Sequence, residues 1–374
     1  MKTKALSLDR RGFLFSMAAG GSVMAFNPAT LLGEAYTQIH ATKSSKIKLG
    51  MDNFSIRGMG WKAPQILEYA ASLRLDTVLL SDLDVYESLE EGYLLGIKRM
   101  GERLGVEIQA GTGSICPTSA RFNAKYGSAE EHLGLLIRVA KTLGSPVGRC
   151  YLGSSADRQG DGGIYRHIES TVKVCKAVRN LALDSNVKIA IENHAGDMQA
   201  WELAELIEAA GKDYVGATMD AGNAVWTVED PMTHLEILGP YAVTTGIRDS
   251  AVWESDNGAS VAWTNMGDGH IDWPVYVKRF SELCPSVAFI LEIISGGRAM
   301  NFPYLERAFW QPFPQARAKD FAGFVAMAKR GTPPVSPPDR PTGDRSEELN
   351  QRQQKYDLER SVKYCKETLG LGLK

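Results

Sequence analysis

Cysteine is scarce in this sequence. The 374 residues include five cysteines, and none is part of a C-x-x-C pair. A small, odd-numbered and widely spaced set of cysteines excludes a disulfide framework and a zinc ribbon. We therefore expect isolated buried thiols at Cys116, Cys150, Cys175, Cys284 and Cys365.

A strong charge of either sign is also missing. The chain has 42 Lys and Arg residues against 44 Asp and Glu residues, which gives a formal net charge of −2. This balance lacks the basic footprint of a nucleic-acid-binding protein. No lysine-rich patch points to an anionic membrane surface. The expected partner is a small molecule, with no nucleic acid.

Long apolar runs and dinucleotide motifs are absent as well. Beyond the N-terminal segment, no stretch approaches the roughly 18 apolar residues that a membrane-spanning helix needs. No G-x-G-x-x-G follows the first predicted strand, which counts against a dinucleotide-binding half. The sequence therefore predicts a protein without a membrane span.

The N-terminus carries an arginine pair followed by a weakly apolar stretch. Residues 9–15 read DRRGFLF, and the apolar stretch continues to Phe26. The pattern resembles a twin-arginine export signal. It implies a signal peptide and spacer over 1–45, contact with the twin-arginine translocase during export, and a periplasmic or secreted protein. The alternative is an amphipathic N-terminal helix.

Short apolar runs alternate with helical patterns from residue 46 onward, which favours β/α units and a parallel sheet. Eight such units predict a (β/α)₈ TIM barrel, an α/β fold, in a single domain over 46–330. An open doubly wound sheet is the alternative. A proline-rich linker and a charged helix over 331–374 form a C-terminal extension. The predicted strands are 47–54, 77–80, 106–111, 147–152, 187–193, 215–220, 242–248 and 287–294.

Carboxylates end three of these strands. Glu192, Asp220 and Glu292 each follow an apolar run, and active sites of such barrels lie at the C-terminal ends of the strands. Converging carboxylates would repel one another unless a divalent cation or inward-facing arginines lay between them. Oxygen ligands suit Mn²⁺, Mg²⁺ or Co²⁺. The residues thus leave a metal site and a set of ion pairs as alternatives.

Four motifs carry a resemblance to a known family. They are Glu192-Asn193-His194, Asp220-Ala221-Gly222-Asn223, Leu291-Glu292-Ile293 and the segment GDGHIDW at 267–273. They are similar to the xylose-isomerase-like sugar phosphate isomerase/epimerase superfamily. The resemblance implies a divalent metal (Mn, Co, Mg or Zn) on Glu192, Asp220 and Glu292. It also implies that Glu192 and Glu292 move protons at adjacent carbons.

Two positions depart from the family pattern. The family's metal-binding histidine after strand seven is missing from Gly246-Ile247-Arg248-Asp249, and Asn223 replaces the histidine of D-x-x-H. The site then has three protein ligands and water, or another histidine substitutes. His270 is the predicted fourth ligand and His194 the second candidate. The predicted substrate-binding residues are His194, Asn223, Arg248 and Asn193.

The leading hypothesis is a metal-dependent sugar isomerase or epimerase, or a lyase of keto-glycosides. It would act on an unphosphorylated carbohydrate by abstracting a proton next to a carbonyl. The alternative is a barrel that binds a carbohydrate without turning it over. A metal-dependent phosphodiesterase or nuclease is disfavoured because the chain has six histidines. Assembly as a homo-oligomer is left open.

Overall fold

A computed structural model describes residues 47–374, so the predicted export signal lies outside the described residues. The strands are β1 (Leu49–Asp52), β2 (Thr77–Leu80), β3 (Glu107–Ser114), β4 (Val147–Tyr151), β5 (Lys188–Glu192), β6 (Val215–Met219), β7 (Ala242–Thr245), β8 (Asp249–Ser255), β9 (Gly258–Thr264), β10 (Phe289–Leu291) and β11 (Met300–Phe302).

Eleven α-helices accompany these strands in the described part of the chain. They are α1 (Ala63–Ser72), α2 (Glu91–Leu104), α3 (Ala129–Leu143), α4 (Gly163–Ala177), α5 (Arg179–Ser185), α6 (Ala200–Ala210), α7 (Ala221–Ala224), α8 (Pro231–Leu238), α9 (Trp273–Leu283), α10 (Ala318–Arg330) and α11 (Glu347–Glu367).

Eight of the strands form one parallel sheet in the order β10-β1-β2-β3-β4-β5-β6-β7. A parallel bridge between Ile247 and Leu291 brings the chain just after β7 against β10 and closes the sheet. The predicted (β/α)₈ barrel is therefore confirmed, and the open sheet is excluded. The strands are almost wholly buried, as expected where helices cover a closed parallel sheet.

Local sequence explains how the helices are placed. Helix α3 begins with a capping box, in which the Glu131 amide donates to Ser128 Oγ and the Ser128 amide donates to Glu131 Oε2. Its buried face includes Leu133 and Ile137, four residues apart. Gly144 ends the helix at φ 76°, in the left-handed region that glycine tolerates best. Helix α3 thus ends shortly before β4, which begins at Val147.

A second sheet was not predicted from the sequence. Strands β8 and β9 form an antiparallel hairpin, and β11 pairs with β9. The predicted seventh strand, 242–248, therefore ends earlier, at Thr245, and the chain turns into β8 at Asp249. The hairpin does have a local signal, because Asp256-Asn257-Gly258 is a favoured turn sequence between alternating apolar residues.

The C-terminal segment packs on the barrel. Leu358, Val362 and Cys365 on α11 are buried. Asp357 accepts hydrogen bonds from the Arg340 guanidinium and from Ser295 Oγ, which lies just after β10. The tail is thereby attached to the same end of the barrel as the strand-end carboxylates.

Among residues 47–374, no helix has the length and apolar character needed to cross a bilayer.

We expect α11 to stabilise the fold. Leu358→Ala should lower the free energy of unfolding by about 2–5 kcal/mol, because it leaves a cavity at a fully buried side chain. Leu373→Ala, at a side chain that is 46% exposed, should change it by less than about 0.5 kcal/mol. Chemical denaturation of both variants measures the difference. Equal unfolding free energies would show that α11 contributes nothing to barrel stability.

Candidate active site

Three carboxylates meet at the C-terminal mouth of the barrel. Glu192 is the last residue of β5, Asp220 follows β6, and Glu292 follows β10. One carboxylate oxygen of each lies within 4.8 Å of the others, and all three side chains are buried. The structure thus brings together the three carboxylates that the sequence singled out.

Two buried arginines are interleaved with these carboxylates. Arg149 Nε on β4 donates to Glu192 Oε2 at 2.6 Å. Arg248, which follows β7, donates through Nη2 to Glu292 Oε2 at 2.6 Å and also contacts Asp220 Oδ2. Every carboxylate of the cluster therefore has a guanidinium group on one oxygen, as buried ion pairs require.

The arginines do not fully offset the cost of burial. Desolvation, opposed in part by Arg248, raises the pKa of Asp220 well above its ordinary value and also raises the pKa of Glu292. Burial and the charge of Glu292 raise the pKa of Asp52, at the end of β1, to about 7. Counting Asp52, four carboxyl groups face two guanidinium groups, so full ionisation leaves an excess of two negative charges.

Local hydrogen bonds fix the position of Asp220. The Asn223 backbone amide donates to Asp220 Oδ1 at 3.0 Å, so the Asp220 carboxylate caps the short helix α7. The Asn193 side chain donates to the Asp220 carbonyl and accepts from the Asp220 amide, both at 2.9 Å. Asn193 was predicted to bind substrate, but both ends of its amide are used to join β5 to β6. It acts as a positioning residue.

A cavity of about 430 Å³ opens above the carboxylates. Its walls include His194, Asn223, Arg248, Trp263 and Glu292. Within the described chain, Asn223 Oδ1 and Arg248 Nε are buried and lack a hydrogen-bond partner. One is an acceptor and the other a donor, so the cavity presents both functions to a polyhydroxylated ligand.

His194 is a neutral acceptor in this cavity. Burial and nearby Arg149 lower the pKa of its imidazole to about 4. Nδ1 lies 2.7 Å from the Gly153 carbonyl, which can only accept, so Nδ1 carries the hydrogen and Nε2 is left as an acceptor. The ring stacks on Tyr151 with centroids 3.9 Å apart. His194 thus lines the cavity, and its contact with a substrate stays a prediction.

The structure does not bring His270 to the carboxylates, as the fourth-ligand prediction required. His270 Nδ1 lies 3.0 Å from both the amide and the carbonyl of Val252 on β8. Its Nε2 accepts from the Thr332 amide at 3.3 Å. The imidazole therefore joins the unpredicted hairpin to the C-terminal segment, and the amides of Gly267 and Gly269 in its loop donate to Asp249 Oδ2 at the start of β8.

Gly246 marks the position where the family's histidine would stand. A Cβ atom added there would lie 3.2 Å from Glu292 Oε2 and 4.0 Å from Asp220 Oδ2. A side chain at this position would thus point at the cluster, and the Arg248 guanidinium contacts the same two oxygens. Three carboxylates with excess negative charge fit an oxygen-coordinating divalent ion, provided that the ion displaces Arg248.

Arg149 had a signal in the sequence as an inward-facing arginine, whereas Arg57 and Arg121 had none. Arg149 stands within a buried apolar strand, where a charged residue calls for a partner. Arg57 and Arg121 also line the cavity, but both are solvent-exposed. Arg57 lies in a 3₁₀ helix after β1, Asn53–Met59, and Arg121 lies in a turn after β3. Nothing in their local sequence distinguishes them from other surface arginines.

Comparison with known proteins agrees with this architecture. The profile of the xylose isomerase-like TIM barrel family matches residues 67–306, so the chain belongs to that family. Among curated proteins, none matches it significantly.

Solved structures share the fold at low sequence identity. A D-psicose 3-epimerase in the presence of D-fructose has 14% identity and a TM-score of 0.57, over 87% of this chain and 100% of its own. The D-psicose 3-epimerase from Clostridium cellulolyticum H10, with D-tagatose, has 13% identity and a TM-score of 0.53, over 84% and 98%. The IolI protein with a bound zinc atom has 14% identity and a TM-score of 0.51, over 75% and 96%.

The ion pair between Arg149 and Glu192 yields a stability prediction. Arg149→Met should lower the free energy of unfolding at neutral pH by about 3–5 kcal/mol, because a buried carboxylate loses its cation. Arg103→Met, at an exposed position near the end of α2, is the control and should change little. Urea denaturation compares them, and an unchanged value for Arg149→Met would contradict the assignment.

Proposed function

We propose that this protein is a sugar isomerase or epimerase that depends on a divalent metal ion and acts by proton transfer next to a carbonyl. The observation that carries the proposal is the buried cluster of Glu192, Asp220 and Glu292, of which Glu292 lines the cavity. Family membership and the epimerase fold of the structural neighbours support it.

The two glutamates would carry the proton. Glu192 Oε2 is ion-paired with Arg149, and its Oε1 lies 3.4 Å from Asn223 Nδ2, a weak contact. Glu192 takes the proton from a carbon next to the substrate carbonyl. Glu292, whose pKa is raised by burial, holds and returns a proton on the other side. A pair of carboxyl groups in different environments suits these two tasks.

Other residues bind and orient the sugar. Arg248 Nε is a free donor for the carbonyl oxygen, and Asn223 Oδ1 and His194 Nε2 accept from hydroxyl groups. Glu192, Asp220 and Glu292 would hold the metal ion (Mn, Co, Mg or Zn), which when bound polarises the carbonyl oxygen as a Lewis acid. The substrate in this proposal is an unphosphorylated carbohydrate or keto-sugar, and elimination of a keto-glycoside by the same proton abstraction is the lyase variant.

The twin-arginine pattern supports a further part of the proposal, namely that the protein is exported to the periplasm or secreted. Its partners would be a small carbohydrate and, during export, the twin-arginine translocase. The second candidate function is a carbohydrate-binding barrel without catalysis. The replacement of the family's histidine by Gly246 favours it, because a ligand is lost from the metal site.

Proton exchange tests the catalytic proposal. With Mn²⁺ present in deuterated water, the protein should incorporate deuterium next to the carbonyl of at least one of D-fructose, D-psicose, D-tagatose, D-glucuronate or D-galacturonate, as measured by NMR. Glu192→Gln and Glu292→Gln should each slow this exchange at least about a hundredfold. Glu254→Gln, at an exposed position on β8, should leave it unchanged. Saturable sugar binding without any exchange would overturn catalysis and favour the binding barrel.

Competition between Arg248 and the metal is a separate prediction. Arg248→Met removes a cation from Asp220 and Glu292, so the affinity for Mn²⁺ should rise about tenfold. Glu292→Gln should weaken Mn²⁺ binding, and Arg103→Met should not alter it. Calorimetric titration with MnCl₂ measures all three. Unchanged or weaker binding by Arg248→Met would show that the ion and the guanidinium do not share one place.

A further inference from the structure

Arginine is concentrated in the cavity above the carboxylates. Arg57, Arg121, Arg149 and Arg248 all line it, against Asp82 and Glu292 as the acidic lining residues. The chain as a whole carries a net charge of −2, so this concentration does not reflect a generally basic protein. The excess of guanidinium groups over carboxylates along its walls favours an anionic group on the ligand.

Two of these four arginines are not engaged by the carboxylate cluster. Arg149 and Arg248 are ion-paired within it. Arg57 and Arg121 form no ion pair with any carboxylate of residues 47–374, although Asp82 lines the same cavity. Their charges are therefore available to a ligand, whereas those of Arg149 and Arg248 are already balanced.

The structure holds Arg57 in place without using up its donors. Arg57 Nη1 donates to the Phe54 carbonyl at 3.0 Å, and the guanidinium carbon lies 4.5 Å from the centroid of the Phe54 ring. A planar guanidinium fixed in this way keeps several N–H groups for a bidentate partner. The loop of Arg121 is fixed at its base, because the Arg121 amide donates to Ser119 Oγ and that hydroxyl donates to Asp157.

The two arginines lie on one side of the barrel mouth. Arg57 follows β1 and Arg121 follows β3, on either side of the loop that holds Asp82. We propose that this side of the cavity binds a carboxylate carried by the substrate, so that the carbohydrate is a sugar acid. This inference rests on the proposed function, since it names the substrate class of the same site.

The position favours a carboxylate over a phosphate ester. Phosphate sites of (β/α)₈ barrels commonly lie at the loops after strands seven and eight, at the N-terminus of a short helix. In this structure the chain after β7 supplies Arg248 and the β8–β9 hairpin instead. The guanidinium groups after β1 and β3 lie away from that position, and each guanidinium fork can pair with the two oxygens of a carboxylate.

Binding measurements test this inference apart from catalysis. Calorimetric titrations would compare D-glucuronate, D-galacturonate and D-gluconate with the neutral D-glucose, D-galactose and D-glucitol, and with D-glucose 6-phosphate. At least one carboxylate should bind at least about tenfold more tightly than its neutral counterpart, and more weakly as salt rises. Arg57→Gln and Arg121→Gln should each remove most of that preference, while Arg103→Gln should retain it.

Each other outcome overturns the inference. If no sugar acid binds more tightly than its neutral counterpart, whether both bind or neither does, the carboxylate subsite is excluded. Tighter binding of D-glucose 6-phosphate than of every carboxylate would assign the arginines to a phosphate ester. The binding result is independent of deuterium exchange. A neutral-sugar epimerase would fail the binding test and still pass the exchange test. An inactive binder of sugar acids would pass the binding test and fail the exchange test.

Discussion

The Arg248 guanidinium, shared between Asp220 and Glu292, is the interaction on which the site depends. Buried carboxyl groups repel one another and lose their hydration, and both effects oppose ionisation. Arg248 and Arg149 offset part of this cost, yet the pKa values of Asp52, Asp220 and Glu292 remain raised. Raised pKa values favour the uptake of protons by the cluster, and in the proposed function a divalent cation would relieve the same repulsion.

The barrel supplies the geometry that this electrostatic arrangement needs. Glu192, Asp220 and Glu292 come from three different strands, and the closed sheet brings their ends to one mouth. Asn193 fixes β6 to β5 through the backbone of Asp220. The cluster is thus held by the ends of the barrel strands, whereas Arg57 comes from the 3₁₀ helix after β1 and Arg121 from the turn after β3.

The barrel and the three carboxylates could be predicted from the sequence. Apolar runs mark buried strands, and a carboxylate at the end of such a run is costly to bury unless it is paired or functional. The eight barrel strands, Glu192, Asp220 and Glu292 were identified in that way. The β8–β9 hairpin was missed because its alternating apolar and polar residues were assigned to the connection after strand seven. His270 was placed at the mouth on the strength of its glycine-rich loop, but that loop packs against the hairpin and the tail. Arg57 and Arg121 could not be found, since only tertiary structure brings them into one cavity.

The most direct test of this account is a crystal structure of the protein soaked with MnCl₂, with anomalous diffraction recorded near the manganese edge. The account predicts one anomalous peak between the carboxylates of Glu192, Asp220 and Glu292, with the Arg248 guanidinium moved off Asp220 and Glu292. A guanidinium that keeps both contacts, with no peak among the three carboxylates, would contradict the metal-dependent mechanism.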